Sequence, residues 1–137
     1  MKEQRLGIAR MLYVQEVQGS IDDVVAKIEQ AAQDNDFGVL DIHDLKQKMA
    51  SKGVSFGPEC RIVEVCNPHK AKEVLENNMA ISTALPCRIS VYEEDGKVKI
   101  ATIRPTYMLD LFDSPELKSV AQSVEETIIR IISVALS

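Results

Sequence analysis

Residues 61–68 read Arg-Ile-Val-Glu-Val-Cys-Asn-Pro, and this stretch decides the fold because it predicts a strand followed at once by a helix. Successive side chains of a strand point to opposite sides. Val63 and Val65 therefore share one face of the predicted strand. The other face carries Ile62, Glu64 and Cys66.

The helix is expected to begin directly after this strand. Asn67 offers a side-chain oxygen as N-cap, and Pro68 suits the first helical position, where its missing N–H is not needed. Cys66 then lies beside a helix N-terminus, a setting that lowers the pKa of many reactive thiols. Cys66 is therefore a candidate catalytic nucleophile, with Glu64 on the same face as a second candidate. The alternative for Cys66 is an inert thiol buried as a small hydrophobe.

Hydrophobic spacing along the rest of the chain predicts further strands and helices. Val39 and Leu40 are consecutive apolar residues, which is typical of a strand covered on both faces. Asp95-Gly96 is a strong hairpin signal. The resulting fold class is α+β, a single mixed β-sheet of about five strands with an antiparallel hairpin, packed by about four helices. The predicted strands span residues 10–18, 37–43, 61–66, 87–94 and 97–103, the predicted helices start near residues 20, 44, 67 and 114, and residues 77–86 are expected to form an irregular loop.

Composition sets limits on the class of protein. The chain has 137 residues and is expected to form a single domain, residues 1–137. A formal net charge of -5, with scattered basic residues, argues against nucleic-acid binding. Three cysteines and an N-terminus without an apolar signal region predict a cytoplasmic protein with reduced thiols. The longest apolar-rich stretch, residues 127–136, is too short for a membrane span.

Glu64 lies within an apolar strand, where a carboxylate must be exposed at a cleft, paired or protonated. Arg88 is its expected partner, either as a structural ion pair or as part of a pocket. If the strands of Cys66 and Cys87 are antiparallel, the two thiols approach each other, which would allow a disulfide, a thiol relay or a soft-metal site. The candidate ligand-binding residues are Glu64, Cys66, Asn67, Cys87 and Arg88.

The two histidines do not form a recognisable metal-ligand pattern, since no paired Cys-x-x-Cys or His-x-x-x-His spacing occurs. His69 falls in the first turn of a predicted helix and is expected to be a solvated surface residue. His43 is expected to lie at a strand end, bonded to a nearby carboxylate. No metal site and no cofactor are therefore predicted.

Several short motifs together resemble the domain-of-unknown-function 302 family, over about residues 36–104. The resemblance implies a compact α+β domain, often dimeric, without an established biochemical activity. It implies recurrent polar or reactive positions at Glu64, Cys66, Asn67, Pro68, Cys87 and Arg88. The motifs that carry it are Phe37-Gly38-Val39-Leu40, Asp44-Leu45, Lys52-Gly53, Val63-Glu64-Val65-Cys66-Asn67-Pro68, Ala71, Leu75, Pro86-Cys87-Arg88, Val91-Tyr92 and Gly96-Lys97-Val98.

Three hypotheses about function follow. The leading one is a small cytoplasmic homodimeric protein that binds a small molecule in a pocket near Glu64, Cys66, Cys87 and Arg88. The alternative is a thiol-dependent enzyme, redox protein or sulfur carrier that uses Cys66. The third is a structural protein-interaction module that acts through the C-terminal helix. A dimer is expected because residues 128–136 carry apolar side chains on more than one face of that helix.

Overall fold

The computed structural model describes residue 8 and residues 10–136, and within that range five strands form one sheet. The strands are β1 (Leu12–Val17), β2 (Gly38–Asp44), β3 (Cys60–Cys66), β4 (Cys87–Glu94) and β5 (Lys97–Ile103). Their order across the sheet is β1-β5-β4-β3-β2, and each described strand pair is antiparallel.

The α-helices that follow β1 are α1 (Ile21–Asp34), α2 (Leu45–Ser51), α3 (Pro68–Asn77), α4 (Pro105–Asp110) and α5 (Lys118–Leu136). The short helix α4 was not predicted. Residues 77–86 are more regular than expected, because Met79–Ala84 forms a 3₁₀ helix whose first turn is capped by the Asn78 side chain. A second 3₁₀ turn, Pro115–Leu117, precedes α5.

The α+β class with one five-stranded sheet is confirmed, and four of the described helices have seven or more residues. The sheet differs from the expected mixed one in being antiparallel throughout its described pairs. The strand order explains this difference. β1 and β2, the strands before and after α1 in the sequence, run in the same direction but do not pair with each other. They lie at opposite edges of the sheet, because β3, β4 and β5 lie between them.

The hydrophobic core lies between one face of the sheet and the helices α1 and α5. Val63 and Val65 point into this core with no exposed surface, as their alternation predicted. We call this side of the sheet the covered face. The core also includes Ile28 from α1, Ile89 and Val91 from β4, Ile100 from β5, and Ile128, Ile131 and Ile132 from α5.

Local capping signals position the helices that flank the sheet. The Ser20 hydroxyl accepts a hydrogen bond from the backbone N–H of Asp23 at the start of α1. The Asn67 side chain accepts from the N–H groups of His69 and Lys70 at the start of α3, as predicted, and Pro68 occupies the first turn. α3 therefore begins directly at the end of β3, where it closes one end of the sheet.

β2 corrects one prediction. It is the last strand of the sheet as described, and it is not covered on both faces, because Leu40 is 61% exposed. Val39 packs against the core while Leu40 does not. The β2–β3 ladder is irregular between Val39 and Asp41, so two consecutive apolar residues at this point do not indicate a strand that is covered on both faces.

Within the described residues, no helix combines the length and the apolar character that a membrane crossing requires. The predicted absence of an N-terminal signal concerns residues 1–7, which lie outside the described residues.

Candidate functional site

The sheet face opposite the core, which we call the open face, carries the charged candidates. Glu64 in β3 pairs in register with Arg88 in β4 on one side and with Asp41 in β2 on the other. One row further along, the register aligns five residues across the sheet. This row consists of Val14, Ala101, Ser90, Ile62 and His43.

A β-bulge brings Asp41 to the open face. Val39 pairs with Val65 on the covered face, and Asp41 pairs with Glu64, so Leu40 is the additional residue between the two pairs. An extra residue in one strand reverses the side to which the following side chains point. Without the bulge, Asp41 would point to the core, where an uncompensated carboxylate is costly.

His43 and Glu64 form the centre of this cluster. His43 Nε2 lies 2.9 Å from Glu64 Oε1, and Arg88 Nε lies 3.4 Å from Glu64 Oε2. The Glu64 side chain is only 15% exposed, so these two partners compensate its desolvated charge. The predicted ion pair with Arg88 is confirmed, as is the prediction that His43 bonds to a nearby carboxylate.

Two further groups surround His43. Asp41 Oδ2 lies 3.8 Å from His43 Nε2. Lys48 Nζ, from α2, contacts His43 Nδ1. Because an ammonium group can only donate, Nδ1 accepts this hydrogen bond, and Nε2 carries the ring proton that it donates to Glu64. The imidazole therefore lies between a cation on its Nδ1 side and a carboxylate on its Nε2 side.

The cysteine candidates lie elsewhere, at the end of the sheet next to α3. Cys66 and Cys87 line a cavity with a volume of about 40 Å³, together with Val65, Val74 and Leu109. Small-molecule pockets usually measure about 300–1,000 Å³, whereas a cavity of this size holds a few water-sized groups. This cavity therefore does not fit a metabolite-sized ligand.

Burial makes both of these thiols less acidic. It raises the pKa of Cys66, and it raises the pKa of Cys87 to about 11, with a smaller contribution from the charge of nearby Cys66. Cys60, Cys66 and Cys87 are all free thiols. The helix N-terminus at Asn67 thus does not produce the lowered thiol pKa that a nucleophilic cysteine needs.

The predicted site therefore divides into two. Glu64 and Arg88 lie on the open face, whereas Cys66, Cys87 and Asn67 line the small cavity. Asn67 has a structural role as the cap of α3. The sequence did not associate Asp41, His43 and Lys48 with Glu64, because the pairing of β2 with β3 and the bulge within it have no local sequence signal.

The fold agrees with the comparisons to known proteins. Residues 13–135 match the family model described as "Domain of unknown function DUF302". This chain belongs to the DUF302 family. The match is longer than the 36–104 region of the motifs, because it also includes β1, α1 and most of α5.

A solved structure supports the assignment to DUF302. The crystal structure of an uncharacterized conserved DUF302 protein from Bacillus stearothermophilus is 30% identical in sequence and superimposes with a TM-score of 0.86. The alignment covers 91% of this chain and 98% of the other. No curated protein matches this chain.

Proposed function

We propose that this chain is a small-molecule-binding domain and that its ligand, an organic anion with an apolar tail, lies on the open face of the sheet. The observation that carries the proposal is the position of Arg88. Its side chain is 57% exposed and lies next to apolar residues of the same face. A cation beside an exposed apolar surface is complementary to a carboxylate that is attached to a hydrocarbon chain.

The apolar part of the open face supports the tail of such a ligand. Val14 and Ile103 are 41% and 44% exposed, and they lie on the neighbouring strands β1 and β5. Exposed apolar side chains that are grouped on a surface and bordered by polar residues often mark interaction sites. Arg88 and Ile103 each lie two residues beyond the paired Ser90 and Ala101, so the cation and the apolar surface are adjacent.

Arg88 has donors for the head group of the ligand. Its contact with Glu64 involves Nε, at 3.4 Å, and a guanidinium group has five N–H donors in total. A carboxylate can therefore accept hydrogen bonds from Arg88 without displacing Glu64. Glu64 also fixes the direction of the guanidinium group, which lowers the entropy lost on binding.

The test is isothermal titration calorimetry with decanoate, decanol and decylamine in buffer that contains a chelator. We expect decanoate to bind, and we expect Arg88→Gln to weaken its binding by at least about tenfold, because a charge-assisted pair is lost. Arg130→Gln is the matched control, since Arg130 lies on α5 away from the open face. Equal binding of decanoate and decylamine, or no binding of decanoate, would contradict the proposal.

We also propose that the chain forms a homodimer, although fewer apolar residues of α5 are exposed than the helix pattern predicted. Ile128, Ile131 and Ile132 fill the core of their own chain. What supports association is the smaller apolar surface of Ile129 and Leu136, of which Leu136 is 39% exposed. Sedimentation velocity of the full chain and of the Ile129→Lys variant tests this, and a monomeric parent chain would contradict it.

The thiol-dependent alternative has less support than the binding domain. Cys66 and Cys87 both have raised pKa values because of burial. A thiol-dependent enzyme or sulfur carrier needs a thiolate at neutral pH. The three free cysteines agree instead with our proposal that the chain is a single cytoplasmic domain in a reducing compartment.

A further inference from the structure

We propose that Asp41, His43 and Glu64 form a binding site for a divalent transition-metal ion such as Zn²⁺ or Co²⁺. This inference deepens the proposed function and rests on it in one respect, since the metal would lie beside the ligand on the open face. One imidazole and two carboxylates are a donor set that such ions accept.

The distances between the donor atoms fit a single ion. One ligand atom from each residue lies within 4.8 Å of the others. His43 Nε2 lies 2.9 Å from Glu64 Oε1 and 3.8 Å from Asp41 Oδ2. Ligands about 2.0–2.2 Å from a tetrahedral Zn²⁺ are about 3.4 Å apart, so each of the two His43 separations changes by about half an ångström on binding. The exposed Asp41 side chain turns toward Glu64 to complete the site.

The carboxylates are oriented for this role by other contacts. Glu64 Oε2 is held by Arg88 Nε, which directs Oε1 toward His43. Asp41 Oδ1 accepts the backbone N–H of Ile42 at 2.8 Å, which leaves Oδ2 on the side of His43. Hydrogen bonds that orient metal ligands in this way increase metal affinity. Arg88 is therefore a positioning residue for the metal as well as a contact for the anion.

The β-bulge is a second feature that points to the site. It turns Asp41 toward His43 and Glu64, and it leaves Leu40 exposed to solvent. The exposure of Leu40 contributes no packing to the core. The bulge is explained if its role is to place Asp41 beside His43 and Glu64. Bulges often direct a side chain next to a binding or active site.

Lys48 competes with the metal. Its ammonium group contacts His43 Nδ1, which leaves the proton on Nε2. Coordination through Nε2 requires the proton on Nδ1, so Lys48 has to move away when metal binds. The Lys48 side chain is exposed and can turn into solvent. Removing this cation should therefore strengthen metal binding.

The site would retain open coordination positions, because three protein donors do not fill the coordination sphere of these ions. The side chain of Asp41 is exposed, so solvent or a ligand can reach the ion from that side. A carboxylate that bridges from the ion to Arg88 would unite the two parts of the site. The metal then contributes to anion affinity by direct coordination.

The test is equilibrium dialysis of the full chain against Co²⁺, followed by absorption spectroscopy of the complex. We expect equimolar binding without the intense near-ultraviolet charge-transfer band of a cobalt thiolate. His43→Ala and Glu64→Gln should weaken binding by more than about 100-fold, since they remove ligands. Lys48→Gln should strengthen binding about fivefold, because a nearby like charge is removed.

His69→Ala is the matched control and should bind Co²⁺ like the parent chain, since His69 lies on α3 and is exposed. Asp41→Asn provides a ligand variant at an exposed position, so its effect does not depend on the stability of the Glu64 variant. A thiolate band, or unchanged affinity in His43→Ala, would overturn the inference. Decanoate binding without Co²⁺ binding overturns only the metal site, and Co²⁺ binding without decanoate binding overturns only the proposed function.

Discussion

The two faces of the central strands differ in what they do, although their residues alternate along the same backbone. On the covered face, Val63 and Val65 are fully buried against α1 and α5. On the open face, Ile62 and Glu64 from the same strand are only partly buried, and Glu64 contacts His43 and Arg88. Alternate residues of one strand therefore contribute to different properties: those on the covered face to stability and those on the open face to binding. Substitutions at neighbouring positions should consequently have different effects.

The largest expected effect comes from the core. Ile89→Ala should lower the free energy of unfolding by about 3–5 kcal/mol, because it opens a cavity on the fully buried covered face. Ile62→Ala, the same substitution on the open face of the neighbouring strand, should have less than half of this effect. Urea denaturation of both variants measures the difference, and equal losses of stability would contradict the separation of the two faces.

Much of this separation could be predicted from the sequence. β4 and β5 have the boundaries that alternation and the Asp95-Gly96 turn indicated, and β3 differs by one residue. The N-cap at Asn67 was also predicted. These features are local, because a turn residue, a cap or an alternation acts within a few positions along the chain.

The rest depends on contacts between distant parts of the chain. The bulge at Leu40 has no glycine or other turn residue to mark it, so the pattern there resembled a fully covered strand. His43 reaches Glu64 only because β2 pairs with β3 in that shifted register. α4 is six residues long. Pro105 marks its start locally, but the first turn is bonded by Glu125 from α5 instead of by a neighbouring cap residue.

The cysteine cavity distinguishes a structural thiol from a reactive one. The pKa of Cys87 is raised to about 11 by burial, so the unfolded chain loses this proton first as pH rises. Stability is therefore fully present below about pH 9 and should fall by about 2–3 kcal/mol as pH rises through the folded pKa. Chemical denaturation at several pH values measures this decrease.

The thiol variants provide the control for this pH dependence. Cys87→Ala should flatten the decrease above pH 9, because the titrating group is gone. Cys60→Ala should keep it, since Cys60 lies at the opposite end of β3 from the cavity. Rapid alkylation of Cys87 by iodoacetamide in the native protein at neutral pH would show that the thiol is more acidic than its burial implies.

A smaller effect is expected from the ion pair on the open face. A double-mutant cycle with Glu64→Gln and Arg88→Gln should give a coupling energy of about 0.5–1 kcal/mol, because Arg88 is more than half exposed. The coupling should decrease at high salt, since exposed pairs are screened. A coupling of zero would mean that Arg88 is not oriented by Glu64, and the anion site would lose its preorganised donor.

The smallest effect on stability is expected at the bulge, where the adjacent residues Val39 and Leu40 lie in different environments. Leu40→Thr should change the free energy of unfolding by no more than about 0.5 kcal/mol, because the side chain is 61% exposed. Val39→Thr should be clearly more destabilising, since it introduces a hydroxyl group where Val39 packs against the core. Thermal denaturation of the two variants measures this contrast between adjacent residues. Equal effects would mean that Leu40 is covered in the native protein, for example by a second copy of the chain, and that the bulge has a packing function.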